Sequence, residues 1–174
     1  MTALRIHLGG HQAKEGWTLL NAQAGPGVDV VGNCTDLSMF KDGSATEIYA
    51  SHIYEHLGYQ QELLQALKEA NRVLVRGGVL RIAVPDLEVL CQLLLDKRLP
   101  LQARWEVQRM IYGGQIDQWD FRKCGFSFDL LVGALEPCGF REIRRVSSFG
   151  IFQDTSDLRF LGTPISLNVQ CNKA

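Results

Sequence analysis

The chain has 174 residues, 46% apolar and 21% charged, with 18 Lys and Arg against 19 Asp and Glu. That length builds one hydrophobic core and is short for two domains. A net charge of −1 excludes a surface that grips a nucleic-acid backbone by bulk electrostatics, and no apolar run is long enough to cross a bilayer.

The predicted elements follow in chain order. Leu4, Ile6 and Leu8 alternate and then meet Gly9-Gly10, the pattern of a strand that ends in a glycine turn. Residues 17–20 and 28–31 form short strands on either side of the Gly25-Pro26-Gly27 turn, and residues 48–50 are the centre of a fourth strand. A helix is predicted from about Gln60 to Leu74, because Leu63, Leu64, Leu67, Ala70 and Leu74 share one face. Lys68, Arg72 and Arg76 sit toward its end, where the helix dipole favours cations, and Gly77-Gly78 stop it. Residues 79–84 are a nearly unbroken apolar run, as in the buried centre of a parallel sheet. Pro85 ends that strand, and Asp86 caps a helix that presents Leu87, Leu90, Cys91 and Leu94 on one side.

Residues 101–125 divide into a helical first half and a loop from Gly113 onward. The next helix spans 128–138 and is cut short by Pro137, which cannot continue the ladder. A strand follows at about 143–148. Arg141, Arg144 and Arg145 read as its solvated face. In the last strand Ile165, Leu167, Val169 and Cys171 alternate with Ser166, Asn168, Gln170 and Asn172.

Strands alternating with helices define an α/β class with a mainly parallel sheet and an antiparallel C-terminal strand. Only residues 9–16 separate the first two strands, too few for a crossover helix, so that helix is expected to be missing. Part of one sheet face would then be bare, and bare apolar surface seeks a partner, which favours a homodimer. The cysteines Cys34, Cys91, Cys124, Cys138 and Cys171 are odd in number and form no C-x-x-C pair, against a disulfide framework or a zinc knuckle. Residues 1–10 show no basic segment leading into an apolar one. A cytoplasmic location is expected.

Several segments resemble one family. They are Gly9-Gly10 after the first strand, Asp36 after the third, the stretch from Ile48 to Leu57 that spells I-Y-A-S-H-I-Y-E-H-L, and the R-V-L-V-R-G-G-V-L run from Arg72 to Leu80. With the L-E-P-C-G-F step at Leu135 to Phe140, they are similar to the small class I S-adenosylmethionine-dependent methyltransferases of the type 11-like group. The resemblance implies a Rossmann-like fold as a single domain over residues 1–174, with a substrate or lid segment at 97–126. It implies S-adenosyl-L-methionine as cofactor, with Gly9, Gly10 and His11 along its methionine part, Asn21 at the ribose, Asp36 and Leu37 at the adenine, and Ser51 and His52 at the sulfonium. The family's first loop usually reads G-x-G and its ribose residue is acidic, whereas this chain has Gly9-Gly10-His11 and Asn21.

His52, Glu55 and His56 spell H-x-x-E-H. On a long helix that spacing would hold a metal, as in inverted zincins, but here it follows a strand directly. A metal on these three residues is not favoured. His52 is the expected catalytic residue, as base or polar positioner, because histidine exchanges protons near neutral pH. Gln115, Asp117, Trp119 and Asp120 lie in the glycine-bearing loop, which suits a lid over a small-molecule acceptor. Trp17 and Trp105 are expected in the core, and His7, in mid-strand, in a structural role. Two rival functions remain beside methyl transfer: a non-catalytic methyltransferase-like partner domain, and a metal-dependent hydrolase.

Overall fold

The computed structural model describes residues 3–174; Met1 and Thr2, the start of the stretch read as leader-free, lie outside the described residues. Four strands come first, with no α-helix between them: β1 (Leu4–Leu8), β2 (Thr18–Asn21), β3 (Val30–Val31) and β4 (Ala45–Ser51). Then come α1 (Glu62–Val73), β5 (Leu74–Pro85), α2 (Leu87–Leu95), α3 (Leu101–Tyr112), α4 (Phe128–Leu135) and β6 (Phe140–Arg145). A two-residue pair, β7 (Arg159–Phe160) and β8 (Thr163–Pro164), precedes the last strand, β9 (Ser166–Lys173).

The sheet runs β3-β2-β1-β4-β5-β9-β6. Its first five strands are parallel neighbours, and β9 inserts antiparallel between β5 and β6. This is the mainly parallel α/β architecture that the alternation of elements predicts. The expected absence of the first crossover helix is also found, since residues 9–17 hold no helix.

Alternation along the strands gives the sheet two faces. One carries Ile6 and Leu8 of β1, Ile48 and Ala50 of β4, Leu80, Ile82 and Val84 of β5, and Leu167, Val169 and Cys171 of β9. Leu63, Leu67 and Ala70 of α1 and Leu131 and Leu135 of α4 pack on it, each large side chain contributing about 1.5–3 kcal/mol of burial. The other face is not bare. Near the carboxyl ends of the strands, Phe149, Ile151 and Phe152 from the chain between β6 and β7 cover Trp17 and Tyr49. Lower down, Arg81 bridges Glu47 and Gln170. The open apolar face that favoured a homodimer is therefore absent there.

Two boundaries differ from expectation. α1 ends at Val73, before Gly77, and β5 begins at Leu74 and runs through both glycines. Its pairing with β4 shifts between Ala45 and Glu47, which absorbs the extra residues. β6 starts at the fully buried Phe140, ahead of the predicted strand, and its register shifts between Arg141 and Arg144 around Glu142, where φ is +54°. α4 stops early, at Leu135, as Pro137 requires, and tightens into a 3-10 turn over Glu136–Cys138. Asp86 caps α2, accepting from the N–H groups of Glu88 and Val89.

Candidate functional site

The carboxyl ends of β1, β2 and β4 open into one cavity of about 480 Å3, within the range of roughly 300–1,000 Å3 usual for small-ligand sites. Gly9, His11, Asn21, Ser51 and His52 line it, and so do Asp117, Trp119 and Asp120 of the loop before α4.

Gly9 has φ +72°, and a Cβ there would sit 1.9 Å from Ile53 Cδ1, so only glycine fits. Gly10 does not line the cavity. A Cβ on it would meet the His7 ring at 2.3 Å, and its carbonyl accepts from the Asn21 side-chain amide at 2.9 Å. Asn21 Oδ1 accepts from Gln23 N–H at 2.9 Å, so one end of this amide ties the first loop to β2 and the other holds the turn that follows β2. His7 is buried against Phe152 and Tyr49. Burial holds its pKa down at about 4, against the pull of Asp154 and with a smaller push from His11.

Asp36 and Leu37 lie elsewhere. Leu37 is fully buried under α1, its N–H donating to Glu69 Oε2. Asp36 is exposed beside Ser38, whose backbone N–H holds its carboxyl below the usual range. β3 ends at Val31, so the wall that follows it comes earlier, as Gly32, Asn33 and Cys34. Cys34 is 7% exposed, and burial pushes its thiol up to about 12. Gln115, with φ +57°, is exposed and outside the cavity wall. Trp105 is 54% exposed rather than in the core, because Val107 is the residue that α3 turns inward. Trp17 is buried as expected.

Below the cavity floor sits Glu55, fully buried on a 3-10 turn. His52 Nδ1 approaches its carboxylate at 3.1 Å without the alignment of a hydrogen bond, while His56 Nε2 at 3.9 Å and Arg122 Nε at 3.8 Å are beyond hydrogen-bond distance. His52 itself has φ +54°. Its Nε2 meets Ser166 Oγ at 2.9 Å, and that hydroxyl donates to Thr155 O at 2.7 Å, so Nε2 is the donor of the pair. His56 Nδ1 meets the Phe121 carbonyl at 3.0 Å and can only donate to it, which leaves the lone pair on Nε2. Burial pulls the Arg122 guanidinium down, with Glu55 and Asp120 opposing.

The helix that an inverted zincin needs is replaced here by a positive-φ residue and one 3-10 turn. Arg122 brings a positive charge to the carboxylate that a metal would require. Among the described residues no cluster of three or more His, Cys, Asp and Glu is placed to hold a metal ion. Sequence reasoning missed Gln23, Cys34, Lys123 and Thr155 in the cavity wall. Thr155 belongs to the segment after β6, whose irregular sequence carries no signal for its return to the site.

No curated protein sequence matches the chain. A family described as "Methyltransferase domain" matches residues 12–82. Among solved structures, an S-adenosylmethionine-dependent methyltransferase from Archaeoglobus fulgidus superposes with TM-score 0.63 at 15% identity, over 98% of this chain and 86% of that one. One from Thermotoga maritima, titled a possible histamine N-methyltransferase, gives 0.55 at 22%, over 85% and 65%. A protein from Bordetella parapertussis described as a possible exported protein gives 0.58 at 12%, over 97% and 61%, so the chain spans less than two thirds of these last two. The fold is thus the Rossmann-like methyltransferase fold. The family model matched over residues 12–82 is of the kind that the sequence resembles, and the solved structures share its fold.

Proposed function

We propose that the chain is an enzyme that transfers a methyl group from S-adenosyl-L-methionine to a small-molecule acceptor. One observation carries this reading. The cavity opens at the carboxyl ends of β1, β2 and β4, with Gly9 at φ +72° bringing bare backbone to its wall. In open α/β sheets that is where ligands bind.

Gly9 and His11 would lie along the methionine part, Asn21 and Gln23 near the ribose, Asn33 and Cys34 near the adenine, and Ser51 and His52 near the sulfonium. When bound, the cofactor supplies a methyl group already activated on sulfur. The chain's own residues then have to align the acceptor and exclude water. Asp117, Trp119 and Asp120 serve as the lid on the acceptor side. His52, held through Nε2 by Ser166, acts as a fixed polar positioner. His56 has the nitrogen better set to take a proton, if the acceptor must lose one. The five free cysteines fit a reducing, cytoplasmic location, and no helix among the described residues is long and apolar enough to cross a membrane.

The deciding experiment is calorimetric titration with S-adenosylmethionine and S-adenosylhomocysteine. Micromolar binding at one site is expected. No heat at millimolar ligand overturns the enzyme reading and favours a non-catalytic partner domain. That second reading has its own observation, since the Asn21 amide is already committed to Gly10 and Gln23. His52→Ala is expected to slow turnover at least tenfold, roughly the effect of one misplaced polar contact, and to leave cofactor affinity unchanged. Equal loss of both makes His52 a binding residue.

A further inference from the structure

The hairpin of α2 and α3 stands on a small core of its own, formed by Leu90, Val107 and Ile165 with half-buried neighbours such as Met110 and Ile111. Val107, Met110 and Ile111 fix the inward side of α3. Its outward side is not polar. Leu101 is 65% exposed, Trp105 54% and Tyr112 58%, with the exposed Gln108 between them. Their spacing of four, three and four residues draws one straight stripe along the helix, the seam geometry of paired helices. A helix apolar on two opposite sides is a buried helix, yet one side of α3 faces solvent.

We infer that α3 is the interface of a homodimer, packing antiparallel on α3 of a second copy. The argument for a copy, and not another protein, is the symmetry of the stripe. An isologous contact must match a surface to itself. With the two-fold axis between residues 106 and 107, Leu101 meets the partner's Tyr112 and Trp105 meets the partner's Gln108, and both pairs recur on the other side. No position is left opposite nothing, and no charge faces a like charge in the seam, since all four stripe residues are uncharged. Arg109, 60% exposed, flanks the stripe already paired with Glu106 at 3.1 Å.

Area points the same way. Leu101, Trp105, Tyr112 and the neighbouring Leu95 and Ile116, all more than half exposed, hold on the order of 500 Å2 of apolar surface at ~100 Å2 per half-exposed large side chain. With Gln102, Gln108 and Arg109 on the same side, this approaches the roughly 800 Å2 per partner of a standard interface. The surface lies apart from the sheet face, and α3 leads directly into the loop that carries Asp117 and Trp119, so the contact borders the lid.

The test is sedimentation equilibrium of the full chain from about 1 to about 200 µM, which reaches the weak, micromolar end of the affinities that interfaces of this size show. A mass of twice 19.5 kDa is expected. Trp105→Glu and, separately, Tyr112→Glu should each weaken association at least a hundredfold, with far-UV circular dichroism unchanged because both residues are exposed, and with a thermal midpoint that no longer rises with protein concentration. In the orientation test, on a Cys91→Ser background that removes the exposed native thiol, the double variant Leu101→Cys with Tyr112→Cys should cross-link as a dimer under mild oxidation, and Leu101→Cys alone should not, since antiparallel helices hold the two copies of residue 101 a helix length apart. A monomer across the whole range overturns the inference, as does a dimer that both glutamate variants leave intact. Cross-linking through Leu101→Cys alone refutes the antiparallel packing.

Discussion

On one face of the sheet, α1 and α4 lay regular apolar stripes over β1, β4, β5 and β9. On the other, at the carboxyl ends of the strands, the cover is a segment with little regular structure, held by aromatic stacking. Phe152 lies 4.0 Å from the His7 ring and 5.0 Å from Tyr49, Tyr49 donates to Asp154 at 2.8 Å, and Lys14 and Arg5 add cation–π contacts over Phe152 and Trp17. A sheet face needs apolar area in the right place, and a helix is only one way to supply it. The irregular cover has a further property. Because Thr155 both lines the cavity and accepts from Ser166, the segment that closes the face also holds His52 in place.

Mutations on the two faces sharpen the contrast. The largest expected loss is from Phe152→Ala, about 4 kcal/mol in urea unfolding, as for a buried aromatic. Leu67→Ala on the helix side should cost about 3 kcal/mol. If Phe152→Ala cost under about 1 kcal/mol, a value typical of surface changes, the aromatic segment would lie outside the cooperative fold and the comparison would fail. Acid should act on the aromatic face through His7. Its ring is neutral when folded and takes up a proton on unfolding below pH 6.5, so its contribution is complete above pH 6.5 and declines as pH falls toward 4. The loss is about 3 kcal/mol over that window, and His7→Phe should flatten it in denaturation curves collected between pH 4 and 7. Smaller effects follow. Ser127, which caps α4 by accepting from Leu130 N–H, should cost about 1 kcal/mol when changed to Ala. Lys14→Met should shift stability by no more than about 0.5 kcal/mol, because the amine is exposed.

The elements that repeat were readable in the sequence. Leu63, Leu67 and Ala70 gave α1 its face, Asp86 its role as cap, and Leu167, Val169 and Cys171 the alternation of β9. The short gap after Leu8 foretold the missing crossover helix. What covers that gap was not readable, since Phe149, Ile151 and Phe152 have no periodicity and meet Trp17 and Tyr49 only through tertiary contact. The outward stripe of α3 defeated the reading of Trp105 for the same reason, because a helix with two apolar sides does not say which faces the core. In the candidate site, Gly9, His11, Asn21, Ser51 and His52, expected at the cofactor, line one cavity. Asp36 and Leu37 fall outside the cavity because the residues directly after β3, Gly32, Asn33 and Cys34, already form its wall. Glu55 gave no sign of full burial, since a carboxylate in a turn is ordinarily solvated.

The place of β9 in the sheet bears on how the molecule assembles. β5 and β6 never touch; β9 lies between them and pairs with both. During synthesis, β5 would hold an open apolar edge, and β6 would have no strand to join, until residues 166–173 left the ribosome. Such edges recruit other chains, and closures between distant segments are slow. The last strand therefore sets the pace of folding, and the interval before it arrives is when the nascent chain is most exposed to aggregation.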